Sequence, residues 1–429
     1  MTSTRDVVSE ANRIGWKVVA RIAGDDALRD LESPHALTGE TGRQWHPLSV
    51  DQGDLGLAFL YATADCADPE GGWDTRAHSH LLAVASSFAA ATSTGPGLFG
   101  AGAVSIAFQV LGRGGTRYRR AHEAADQSVR GQLRSLLERV PLQGGLPTRD
   151  YDLASGVAGA LASMIITGCS KTDPLAKEAT KTLASWALRR APQGYWTPGA
   201  HVTEFDRLNR PECVDGYLDL GLAHGVAGVL ATLGAAHRMG IEADAAREAG
   251  VRLRNELGDN LSRTSHGVDV AYRRTASVVS RSDAARTAWC YGVPGLALAF
   301  ASSAVEEGDR AVAEELWAST MARPRASRGL SGSGICHGSA GLVLVGRALR
   351  RSGVPVPEED LVSLVTEIID ASQESSRYGF RDLDNRGVEY DTAGFLQGAA
   401  GVAATLLSVG SPVPTAAEKI FTGVIDARP

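Results

Sequence analysis

The chain has 429 residues, 44% hydrophobic and 21% charged, a balance that excludes a disordered polymer. Its 43 basic and 49 acidic residues give a formal charge of −6 without a long basic stripe, which excludes the electrostatic footprint of a nucleic-acid binder. Glycine is in surplus, 49 of 429 residues where the usual ~7% gives about 30. With only 17 prolines and no G-X-Y period, those glycines belong to turns or close packing.

Taken in chain order, the N-terminal segment MTSTRDVVSEANRIGWKVVARIAG is amphipathic, charged throughout and without the apolar run of a signal peptide. No later stretch approaches the ~20 apolar residues of a membrane span. The five cysteines are odd in number and scattered, unlike a secreted disulfide framework. A cytoplasmic protein with no membrane insertion is expected. From residue 53 a G-x-x-G pattern, or a near match, runs seven times straight into an apolar stretch. The copies are GDLG from Gly53, GAGA from Gly100, GVAG from Gly156, GVAG from Gly225, GVPG from Gly292, GSAG from Gly338 and GAAG from Gly398. The second copy has Ala103 where the others place their second glycine. Intervals run from 46 residues (Gly292 to Gly338) to 69 (Gly156 to Gly225), too irregular for a solenoid of fixed repeat length.

Between the copies, segments 117–140, 173–190, 243–262, 311–321 and 358–373 place apolar residues at three-and-four spacing among charges. That spacing predicts helices with one buried and one wet face. The stretches after each G-x-x-G are apolar nearly all round, as in helices surrounded by protein. Seven buried helices alternating with amphipathic ones predict an all-α fold, an α/α toroid with an inner and an outer ring, as a single domain over 1–429. The longest gap, between the third and fourth copies, is rich in turn formers and aromatics.

If each copy begins an inner helix, the residues just before the glycines share one rim. His224 precedes Gly225, Trp289-Cys290-Tyr291 precede Gly292, Cys336-His337 precede Gly338, and Asp152 stands four residues before Gly156. The remaining copies offer Asp51 and Gln52, Leu98 and Phe99, and Leu396 and Gln397. Two thiolates and an imidazole, from Cys290, Cys336 and His337, make a zinc donor set with a fourth position open to water or substrate. There is no C-x-x-C, and a lone Cys at a helix start is usually a small buried hydrophobe, so the shared register carries the metal reading. His224 is also compatible with a fourth ligand closing a Cys2His2 structural site, and Asp152 with a simple helix cap. Cys66, Cys169 and Cys213 fall off register and are read as packing residues; His46, His78, His80, His201 and His266 are read as surface or loop residues.

WCYG (289–292), CHG (336–338) and AHG (223–225), each leading into a glycine and an apolar helix, resemble the lanthionine synthetase C family. The seven copies match that family's seven-fold α/α barrel over about 49–407. The resemblance implies zinc held by Cys290, Cys336 and His337, catalytic roles for His224 and Asp152, Arg286 lining the site, and Tyr291 close to the metal. It also implies a small β-containing extension between the third and fourth repeats, here 191–219. The implied activity is that of a lanthipeptide cyclase, which adds peptide cysteine thiols to dehydroalanine or dehydrobutyrine of a dehydrated precursor peptide. Dehydration is then the work of a separate dehydratase, with a transporter as a further partner. His224, with an ordinary pKa of ~6.5, suits acid–base work on the enolate; Asp152 would orient or charge it and Arg286 would steady the enolate oxygen.

Three other readings stand beside this one. Addition of glutathione to dehydroamino acids uses the same chemistry between molecules. A prenyltransferase β-subunit is also a zinc α/α barrel, but the glycine register and the WCYG/CHG pair are not that family's. A non-catalytic, zinc-containing peptide-binding scaffold would keep a closed metal site.

Overall fold

The computed structural model describes residues 3–26, 28, 33–34, 41–43, 45–91, 94–141, 143–276, 285–384 and 387–426. Its helices are α1 (Thr4–Ala23), α2 (Asp54–Ala67), α3 (Trp73–Ala90), α4 (Ala101–Val110), α5 (Arg119–Arg139) and α6 (Thr148–Tyr151). They continue as α7 (Val157–Ile166), α8 (Pro174–Ala187), α9 (Glu204–Asn209), α10 (Val226–Arg238), α11 (Ala243–Asp259) and α12 (Val293–Ser303). The last five are α13 (Glu307–Ala322), α14 (Ser339–Arg351), α15 (Glu358–Asp370), α16 (Ala399–Ser408) and α17 (Ala416–Asp426).

The first glycine of every copy is the residue that caps an inner helix: Gly53 for α2, Gly100 for α4, Gly156 for α7, Gly225 for α10, Gly292 for α12, Gly338 for α14 and Gly398 for α16. The second glycine solves a packing problem, because the loop before each helix folds back across its first turn. A Cβ at Gly56, Gly159, Gly228, Gly295, Gly341 or Gly401 would lie 1.9–2.6 Å from the carbonyl oxygen six residues earlier in its own loop, well inside contact distance. In the second copy the loop is one residue shorter, and Gly102, not position 103, meets that carbonyl, 2.5 Å from Gly97 O. Ala103 is therefore no defect in the motif.

Consecutive inner helices α2, α4, α7, α10, α12, α14 and α16 touch in turn, and α16 returns to α2, closing a ring of seven. Each inner helix has an outer partner: α3, α5, α8, α11, α13 and α15 for the first six, and α1 for α16. The amphipathic N-terminal segment thus supplies the outer helix of the last pair, so the two ends of the barrel's sequence complete one repeat. The fold is the expected α/α toroid. The outer helix α3 has no counterpart among the amphipathic segments read from sequence, and no described helix is long and apolar enough to cross a membrane.

The lumen is not open. Helix α17 touches all seven inner helices and lies among aromatic rings. Phe421 is 5.2 Å from Trp289, 6.0 Å from Phe395 and 6.4 Å from Phe99, centroid to centroid, and Trp289 Nε1 donates to Phe421 O at 3.1 Å. At its first turn the fully buried Glu418 pairs with Arg347 at 3.1 Å and Arg351 at 2.5 Å. Burial alone would raise the Glu418 pKa; the two guanidinium groups hold it lowered.

Among the described residues nine short strands decorate the toroid: β1 (Ser33–Pro34), β2 (Thr41–Arg43), β3 (Trp196–Pro198), β4 (Gly216–Asp219), β5 (Leu261–Thr264), β6 (Gly267–Val270), β7 (Arg273–Thr275), β8 (Arg381–Leu383) and β9 (Glu389–Asp391). The antiparallel sheet β3-β4-β7 matters most for the rim. Its first two strands and α9 fall within 191–219, while β7 comes from beyond α11, pairing Leu218 with Arg274 and Asp219 with Arg273.

These contacts set an expectation for stability. Gly159→Ala, whose Cβ would stand 1.9 Å from Leu153 O, should lose more than about 2 kcal/mol in urea unfolding. Gly131→Ala, on α5 with open space around it, should gain roughly 0.5–1 kcal/mol.

Candidate metal centre

The loops that precede the inner helices are tied to their neighbours through backbone hydrogen bonds at equivalent positions. Leu98 N and Phe99 N donate to Leu153 O and Ala154 O, joining copies two and three. Leu222 N and Ala223 N both donate to Cys290 O (four to five), and Ile335 N and Cys336 N both donate to Leu396 O (six to seven). Phe395 N donates to Asp51 O, and Asp51 Oδ1 accepts from Leu396 N and Gln397 N at 3.1 Å each, so the seventh loop is pinned to the first. At the third-to-fourth and fifth-to-sixth junctions the side chains of interest meet: Asp152 with His224, and Cys290 with Cys336 and His337.

The donor atoms of Cys290, Cys336 and His337 all lie within 4.8 Å of one another. Two sulfurs and one imidazole nitrogen suit a tetrahedral cation with bonds of ~2.3 Å to sulfur and ~2.0 Å to nitrogen, and three donors leave a fourth position free. The local electrostatics prepare for positive charge. Burial opposes ionisation of the Cys290 thiol, yet its hydrogen bond with Cys336 and the nearby His337 and Arg286 hold its pKa well below the ordinary thiol value. Cys336 is pushed well above that value, first by the same bond to Cys290 and then by burial. The opposed shifts favour ionisation of Cys290 before Cys336, and a bound divalent cation would favour the thiolate form of both. His337 Nδ1 lies 3.0 Å from Gln397 Nε2, which leaves Nε2 of the ring for a cation.

Beside this group, His224 Nδ1 meets Asp152 Oδ2 at 2.7 Å. The carboxylate is only 1% exposed and the imidazole 48%, so a buried anchor holds a ring that reaches the open rim. Asp152 Oδ1 accepts from Ser155 N at 2.7 Å and Gly156 N at 2.9 Å. Asp152 is thus no cap of α7, which Gly156 caps; one of its oxygens holds the loop before that helix and the other pairs with His224. Desolvation would lower the His224 pKa, but the hydrogen bond and charge of Asp152, with Asp219 and Cys290 behind it, push it up to about 8.

Arg286 donates to Tyr272 Oη from its backbone N at 3.0 Å and from Nε at 3.2 Å. Burial works against its charge, while Tyr272, Cys290 and Cys336 favour it. Tyr291 Oη donates to Asp219 Oδ2 at 2.9 Å, and burial together with that carboxylate raises the phenol well above its usual pKa. Its proton is committed to Asp219, so at the rim the Tyr291 oxygen accepts rather than donates.

Asp219 was missed by the sequence reading. It is fully buried, accepts from Gly221 N at 3.0 Å and faces Arg273 Nε at 3.4 Å. The available signal was a lone acid inside the apolar run GYLDLGLA. Tyr272, with the Arg210 guanidinium 4.5 Å from its ring, carried no such signal. Buried Asp382, pushed up to about 7 by desolvation, carried none either. His80 is corrected: it is neither surface nor loop but lies on α3, bonded at 2.8 Å to buried Asp54, which also accepts from Trp45 Nε1. Cys213 is buried as expected, whereas Cys66 is exposed and does not pack.

Residues 44–422 match the family model for lanthionine synthetase C-like proteins. The nisin biosynthesis protein NisC of Lactococcus lactis subsp. lactis is 25% identical over 321 residues, 72% of this chain and 72% of that protein. A solved structure of nisin cyclase superposes with a TM-score of 0.73 at 18% identity, covering 99% of this chain and 100% of the other.

The His224–Asp152 pair makes a prediction of its own. The folded pKa lies above the ordinary ~6.5, so the stabilisation this pair contributes is fully present below that value and is lost as pH rises through about 8. An NMR titration should place the His224 midpoint near 8. Asp152→Asn, which keeps an oxygen for the Ser155 and Gly156 amides, should drop it to ~6.5 or below. An unmoved midpoint in the variant would remove Asp152 as the cause.

Proposed function

The chain belongs to the lanthionine synthetase C-like family, and from that premise we propose that it is a cytoplasmic, zinc-dependent lanthipeptide cyclase. It adds cysteine thiols of a dehydrated precursor peptide to dehydroalanine or dehydrobutyrine residues of the same peptide, forming lanthionine and methyllanthionine thioethers. The observation that carries this reading is the meeting of Cys290, Cys336 and His337 on one rim, beside the paired His224 and Asp152.

Cys290, Cys336 and His337 would hold the zinc, which when bound makes a peptide thiol, ordinarily of pKa ~8.5, nucleophilic at neutral pH. The reaction forms one S–C bond at Cβ and moves the double-bond electrons toward the carbonyl oxygen. The proton lost from sulfur is balanced by one gained at Cα, so no further reagent is consumed. His224, cationic up to about pH 8, is suited to deliver the proton to Cα. Asp152 keeps that ring oriented and charged. Arg286 is the cation suited to the enolate oxygen as charge develops there. Tyr291 accompanies Cys290 as a positioning residue, its own proton engaged by Asp219.

Metal analysis of purified protein should find about one zinc per chain, and Cys290→Ala should lose it while keeping the helical circular dichroism signal. A chain that binds no zinc overturns the ligand assignment. His224→Ala should keep the zinc and slow cyclisation of a dehydrated precursor by about 100-fold or more. A dehydrated peptide without cysteine, offered with glutathione, should remain unmodified; an adduct would move the activity to intermolecular addition.

A further inference from the structure

Gln397, directly before Gly398, occupies the register position that corresponds to His224 in the fourth copy and His337 in the sixth. It is 9% exposed, and its amide reaches across the copy boundary to His337 Nδ1 at 3.0 Å. Its backbone is fixed in turn, because Gln397 N and Leu396 N share one oxygen of Asp51, 4% exposed, on the first copy. Leu396 O accepts from both Ile335 N and Cys336 N. The loop that carries the amide therefore grips the strand of residues that carries the ligands.

We propose that Gln397 is the positioning residue for His337, selecting which ring nitrogen faces the sulfurs of Cys290 and Cys336. The proposal rests on the zinc reading above and deepens it. A histidine that binds a cation through Nε2 must be neutral with its proton on Nδ1, and that N–H needs an acceptor. Gln397 has both a donor and an acceptor at the end of one side chain. With Nε2 toward the ring the amide donates to a bare Nδ1; turned over by half a rotation, its Oε1 accepts from Nδ1–H. The amide thus serves both tautomers without moving its backbone, which Asp51 holds in place. A carboxylate there would fill only the second role, and an aliphatic side chain neither.

The test is zinc affinity, read by competition with a chromophoric chelator, with cobalt substitution as a spectroscopic check on the same folded proteins. Gln397→Leu should weaken zinc binding by about 10–100-fold and alter the ligand-field absorption of the cobalt form. Gln397→Glu, which keeps an acceptor for Nδ1–H, should restore affinity to within a few-fold of the parent. Circular dichroism and thermal melts identify a variant that has unfolded. Should Gln397→Leu do so, Gln397→Glu and Gln397→Lys decide the matter, since only the first can accept. If the leucine and glutamate variants bind zinc like the parent, or if lysine binds as well as glutamate, the proposal is overturned and the zinc reading stands. If the parent chain binds no zinc, both fall together.

Discussion

Everything at the rim depends on one close contact repeated around the ring. The loop before each inner helix lies across that helix's own first turn, its carbonyl less than 3 Å from where a Cβ would stand. A side chain there would lift the loop, and the loop is what carries the candidate site residues. Because the same contact recurs in every copy, each loop is set at the same height above its helix. Ring closure then turns equal heights into adjacency. Residues separated by 72 positions, Asp152 and His224, come within hydrogen-bond distance without any local sequence signal that they should.

The charges around this rim are arranged in opposition. Asp152 holds a proton on His224, while His337, Arg286 and the neighbouring thiol draw one away from Cys290. The third-to-fourth junction therefore favours a protonated imidazole, and the fifth-to-sixth favours a thiolate. The two are separated by Cys290 O, which takes the Leu222 and Ala223 amides and so fixes His224 to the cysteine's own backbone. Asp219 adds a third element behind them, accepting from the Tyr291 hydroxyl at 2.9 Å.

Much of this was legible in the amino-acid sequence because the glycine constraint is local. A G-x-x-G read against an apolar run locates an inner helix, and the positions just before it locate Asp152, His224, Cys290, Cys336 and His337. What escaped was whatever depends on distant partners. Helix α1 could be read as amphipathic, but its place beside α16 follows only from closing the ring. Gly102 was hidden because its loop is one residue shorter, which the carbonyl contact reveals and the spacing does not. Gln397 was in view at its register position, yet nothing in LQGAAG indicates an amide aimed at a histidine sixty residues away. His80 reads as a surface or loop residue because no local pattern announces its buried carboxylate partner.

Helix α17 stands in the middle of the ring, packed on every inner helix and anchored by a carboxylate between two arginines. With that helix filling the lumen, the described residues leave no passage through the barrel, so whatever binds at the rim of Cys290, Cys336 and His337 must arrive from outside, as a rope laid over a capstan rather than threaded through an eyelet.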